Sequence, residues 1–145
     1  GSWFSHGAAA HALFGMTDGV RFTYRGSWCS EGRHTSWDGD WRLQYADGSV
    51  HFEDQQTNRA EAFGKTEGQG LIRPPEPIDI AADVPEVGGQ HQALRQLLRY
   101  LADGTMPEGE CHDNIKSFAM VCAAIESART GQPIDIAAML DGSAA

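Results

Sequence analysis

Positive charge is scarce in this chain. Eleven lysines and arginines stand against twenty aspartates and glutamates, a formal net charge of −9. Both halves are acidic, and neither carries the basic stripe that neutralises a phosphate backbone. Nucleic acid is therefore excluded as an expected partner, and an anionic membrane surface is disfavoured by the same sign argument. Long apolar runs are also lacking. No stretch approaches the ~20 residues of a spanning helix, and no charged segment followed by an apolar one resembles a leader. Cysteine is sparse as well: Cys29, Cys111 and Cys122 form no CxxC pair, and an odd number cannot all pair internally. Reduced thiols serving as small buried hydrophobes, in a cytoplasmic protein, are the expectation.

Several catalytic signatures are missing too. No GxGxxG follows a strand pattern, so no dinucleotide fingerprint is present. Gly64-Lys65-Thr66 has the ending of a phosphate-binding loop, but Arg59 occupies the place of its leading glycine. There is no HExxH, no paired Cys/His spacing for structural zinc and no GxSxG elbow. Cys111-His112-Asp113 contains ligand-type residues, yet it falls at the start of a helical pattern. Asp113 is expected there as an N-cap, and no metal is expected.

At 145 residues the chain fits a single domain with a core of its own. All but two of its aromatics precede residue 65; only Tyr100 and Phe118 follow. The densest stretch is 20–43, which holds Trp28, Trp37 and Trp41 together with Arg21, Arg25, Arg33 and Arg42. Val20, Phe22 and Tyr24 alternate with polar residues, as do Trp41, Leu43 and Tyr45, and then Val50 and Phe52. These predict strands. Gly26 predicts a bulge. Asp18-Gly19 and Asp47-Gly48 predict hairpin turns. Residues 59–63 and 77–80 predict two further strands.

Residues 64–88, punctuated by glycine and proline, read as a connector. Leu94, Leu97, Leu98 and Leu101 then form one stripe of a helix over 90–102, closed by Gly104. A second, well-buried helix is predicted over 114–130, closed by Gly131. Ile134 and Ile136 predict a last strand.

The histidines suggest no shared site. His6 and His11 fall an odd number of residues apart along the first predicted strand, hence on opposite faces. His91 reads as a surface or interface residue. His34 lies in the polar loop over 30–38. Two readings of that loop stay open. Its tryptophans fill a packing seam or a subunit interface. Alternatively, Trp28 and Trp37, with Glu31, Arg33 and His34, line a site for a polar small molecule such as a sugar, the ring stacking on its apolar face while charged groups bond its hydroxyls.

Four segments stand in order: ALFGMTDGVRFTYRGSW, WRLQYADGSVHFE, HQALRQLLRYLADGTMP and DNIKSFAMVCAAIESARTGQPIDI. Together they resemble the C-terminal domain of the Gfo/Idh/MocA oxidoreductase family, over about residues 6–136. The resemblance implies an α+β fold: an open, mostly antiparallel β-sheet with two main helices covering one face, the other face forming a homo-oligomer. It implies a substrate-binding and oligomerisation domain of an NAD(P)-dependent oxidoreductase acting on a sugar or polyol. The family's Rossmann domain and catalytic lysine, aspartate and histidine have no counterparts assignable here. The resemblance thus places no catalytic and no cofactor-binding residue in 1–145, leaves NAD or NADP to the full-length enzyme and makes the isolated chain inactive. The alternative expectation is a non-catalytic dimerisation or small-molecule binding module.

Overall fold

Side-chain alternation organises the first part of the chain, and the computed structural model describes residues 4–53, 57–63, 74–80 and 88–142. The protein is α+β. It forms two compact units, residues 1–84 and 85–145, and the division falls inside the proline- and glycine-punctuated connector. Residues 64–73 and 81–87 of that connector lie outside the described residues.

The first unit contains two antiparallel sheets. Strands β1 (Ala9–Gly15) and β2 (Arg21–Ser27) form a hairpin. A 3-10 turn at Thr17–Gly19 closes it, with Asp18 in the left-handed region at φ 57°. Aspartate tolerates that region because its short side chain bonds locally. Strands β3 (Trp41–Tyr45), β4 (Gly48–Glu53), β5 (Thr57–Phe63) and β6 (Pro75–Ile78) form a four-stranded meander in sequence order. Pro75 and Pro77 sit on its edge strand, where missing amides need not break the ladder and discourage further pairing. The hairpin and the meander are joined by rings. Phe14 stacks on Phe22 at 5.7 Å, and Phe22 stacks on Trp41 at 5.9 Å.

The expected bulge at Gly26 does not occur. The β1–β2 register runs unbroken, with Ala10 opposite Gly26. The Tyr24 side chain instead lies over Gly26 on the same face, where a Cβ would meet the ring and its hydroxyl. This is aromatic cover of a strand glycine. The second hairpin also differs in detail. Tyr45 pairs with Gly48, so Ala46-Asp47 makes the turn and Gly48 opens β4. The glycine is needed because an added Cβ would run into the Glu61 carbonyl of β5. His6 precedes β1 rather than lying in it.

In the second unit, α1 (Gly89–Asp103) follows the predicted stripe. It ends at Gly104, whose φ is 78° and whose N–H bonds the Tyr100 carbonyl at 2.8 Å. Helix α2 (Cys111–Thr130) ends the same way at Gly131, φ 69°. Its expected deep burial is not seen. Ala119 and Ala123 are buried, while Ile115, Phe118, Val121 and Ile125 are exposed. The thiols also depart from expectation: Cys111 is exposed, and Cys29 and Cys122 are half-buried. The predicted last strand is a short helix, α3 (Ile136–Leu140), which packs on α2. Asp135 decides this, since its carboxylate accepts the Ala138 N–H at 3.2 Å and caps a helix start. No helix among the described residues is long and apolar enough to cross a membrane.

Candidate functional site

The meander has two chemically distinct faces, set by register. On one face Trp41, Leu43 and Tyr45 of β3 lie opposite Phe52, Val50 and Gly48 of β4. Val50 lies opposite Ala60, and Ala60 opposite Ile78. This face is largely apolar, with Asn58 opposite Phe52 and Glu76 opposite Ala62 at its margins. Ala60 is buried, but Trp41, Leu43, Tyr45 and Ile78 are each between 40% and 58% exposed. The other face is polar. Arg42 lies opposite His51, and His51 opposite Arg59; Gln44 lies opposite Ser49, and Ser49 opposite Glu61. Here His51, Glu53, Arg59 and Glu61 line a shallow cavity of about 140 Å3.

The loop between β2 and β3 holds the residues expected to contact a small molecule. Trp28 begins it, its N–H bonding the Ala8 carbonyl at 2.8 Å. A turn from Ser36 to Gly39 follows, closed by the Gly39 N–H on the Ser36 carbonyl at 3.1 Å with Gly39 at φ 73°. That turn carries Trp37 back against Trp28, edge to face at 5.7 Å. The Trp41 indole N–H bonds the Asp38 carbonyl at 2.7 Å and ties the turn to β3. Trp28 and Trp37 are thus brought together, and they remain 72% and 89% exposed. Glu31, Arg33 and His34 are exposed along the same loop. None of these three lines the cavity on β4 and β5. The arrangement is an aromatic pair open to solvent, able to stack on an apolar ring face or a partner surface.

The start of α2 has tighter geometry. Glu110, not Asp113, is its N-cap. One carboxylate oxygen accepts the Asp113 N–H at 2.7 Å; the other accepts the His112 N–H at 3.0 Å and lies 2.8 Å from the His112 Nδ1. Asp113 pairs instead with Lys116 at 2.9 Å. The Cys111 Sγ lies 3.7 Å from that same Nδ1. The donor atoms of Glu110, Cys111 and His112 are all within 4.8 Å of one another. The sulfur and the carboxylate approach one imidazole nitrogen, so this is not a relay in which a base bridges nucleophile and acid. The carboxylate is also occupied by the helix amides, whose dipole opposes a cation there. The cluster's chemistry is that of a cap.

That cap carries a pH dependence. The hydrogen bond from His112, followed by the amide bonds, holds the Glu110 carboxyl below the ordinary glutamate range. A depressed folded value means the stabilisation is complete above the unfolded value, ~4.3, and is lost as pH falls through the lower folded one. The Asp113 amide shift is therefore expected to titrate with a midpoint below that of an ordinary glutamate, and Glu110→Gln should abolish the transition. A midpoint at or above the ordinary value would contradict the cap.

No family model, no curated protein and no solved structure matches the chain. The site assignment therefore rests on geometry alone. Sequence reading singled out Trp28 and Trp37 and missed the polar face of β4 and β5. The available signal was the alternation itself: the residues between apolar positions in 49–53 and 59–63 include His51, Glu53, Arg59 and Glu61.

Proposed function

We propose that this chain is a non-catalytic binding and association domain, corresponding to the C-terminal substrate-binding and oligomerisation domain of a Gfo/Idh/MocA-like, NAD(P)-dependent oxidoreductase that acts on a sugar or polyol. The observation carrying this reading is the antiparallel meander with one largely apolar, solvent-exposed face. Sheets with such a face bury it against a partner, and exposed apolar patches of this kind mark association surfaces. The order of strands before helices, with glycine stops at Gly104 and Gly131, supports the same assignment. So do the four sequence segments that resemble the family.

The residues present do not fit a dinucleotide. A pyrophosphate cradle needs a parallel βαβ unit with a glycine-rich turn. The described strands pair antiparallel throughout, and the sequence has no GxGxxG. In this reading the nucleotide and the hydride chemistry belong to a separate Rossmann domain. This chain supplies a substrate contact, with the Trp28–Trp37 pair as the stacking element, and a second copy of itself covers the apolar sheet face.

Two measurements test the proposal. NADH titrated against the purified chain is expected to show no micromolar binding. Light scattering at high micromolar concentration is expected to show a homo-oligomer, with an interface of at least about 1,200 Å2 in total. A strictly monomeric species would overturn the association half, and tight NADH binding would overturn the division of labour.

A further inference from the structure

The polar face of β4 and β5 has a charge order that the proposed function does not use. Along the strand pair the register places Glu61 opposite Ser49, then His51 opposite Arg59, then Glu53 opposite Thr57. The sequence of groups is acid, base pair, acid. Opposite charges this close on a sheet ordinarily pair across or along the strands. Yet none of the four side chains makes an ion pair or hydrogen bond with a described residue. All four line one cavity, so their bonding capacity is left for a visitor. The carboxylates offer acceptors only, the guanidinium donors only, and a neutral imidazole offers one of each.

The charge order selects the chemical class. A neutral polyol would exchange its bonds to water for similar ones on an open face and gain little. A ligand with complementary charges gains charge-assisted bonds, about twice as strong. Two carboxylates and one guanidinium call for two cationic groups and one anionic group. The five residues from Ser49 to Glu53 span ~13 Å of strand, and the register sets Glu61 and Glu53 at opposite ends of the group. The cavity volume of about 140 Å3 is below the ~300 Å3 where drug-sized sites begin, which suits a single amino acid rather than a peptide or nucleotide. We infer that this face binds a basic amino acid, its carboxylate on Arg59 and His51 and its two ammonium groups on Glu53 and Glu61.

The test is a backbone-amide NMR titration of the whole chain with L-lysine, using norleucine and myo-inositol as comparison probes. Lysine is expected to shift amides in β4 and β5, and raised salt to weaken the effect. Norleucine, which lacks the second ammonium, is expected to bind several-fold more weakly, and myo-inositol to leave these amides in place. Glu61→Gln and Arg59→Gln, both surface changes expected to keep the sheet by circular dichroism, should each weaken lysine binding about threefold to fivefold. Lysine shifts that are absent, or confined to other segments, overturn the inference. So do equal shifts from norleucine or myo-inositol, or unchanged binding in both folded variants. Self-association is read separately by light scattering, so failure of the proposed function leaves this result interpretable.

Discussion

Gly48→Ala is expected to destabilise the first unit by about 2–3 kcal/mol. An added Cβ would drive into the Glu61 carbonyl, with the Glu61 carbonyl carbon at 3.4 Å and the Ala62 Cα at 3.5 Å behind it. All three atoms are main chain of the paired strand, so no side chain can swing away. Relief requires β4 and β5 to separate, which costs ladder bonds at the tied corner where the Phe63 N–H bonds the Asp47 carbonyl at 2.8 Å. Gly7→Ala is the control, because nothing lies within 4 Å of its Cβ position. Chemical denaturation of the two variants compares them directly. Equal stabilities would mean that β4 and β5 do not pair in this register, and the polar-face cavity would lose its basis as well.

Leu43→Lys is expected to abolish self-association while leaving the monomer folded. Leu43 lies mid-strand on the apolar face, opposite Val50, and is 40% exposed. An uncompensated ammonium at the centre of a buried interface costs about 3 kcal/mol or more, roughly a hundredfold in dissociation constant. Gln44→Lys places the same charge one residue away on the opposite face, where it should change association little. This neighbour pair isolates the face from the general effect of charge. Light scattering across a dilution series reads both, and equal behaviour would sink the assignment of the apolar face as the interface.

Local patterns were legible in the sequence where one residue's chemistry decides the outcome. The strands at 21–27, 41–45 and 48–53 follow from alternation, because a pleated strand sends successive side chains to opposite faces. Gly104 and Gly131 end their helices because the left-handed turn there costs glycine little. Reading failed where two local solutions compete. Asp113 and Glu110 are both suitable caps, and the longer glutamate side chain reaches two amides at once. Ile134 and Ile136 alternate like a strand, but Asp135 offers a helix cap, and the described residues of the second unit contain no strand to pair with. The separate hairpin and meander were not legible either. Strand alternation names the faces of a strand and not its hydrogen-bonded neighbour.

The candidate site divides the same way. Trp28 and Trp37 were visible by residue type, but only the turn closed at Gly39 brings their rings to 5.7 Å. His51, Glu53, Arg59 and Glu61 looked like ordinary solvent-side positions. They became a group when antiparallel pairing set His51 beside Arg59 with an acid at either end.

By itself, then, the sequence determined the acidic charge, the absence of a dinucleotide loop, the amphipathic elements and their stops, since each depends on composition or on neighbours a few residues away. Only the tertiary structure decided which strands pair, which glycine is irreplaceable and which charged groups share a cavity. Those contacts join residues distant along the chain, and their register is set by backbone hydrogen bonds that every sequence position can make.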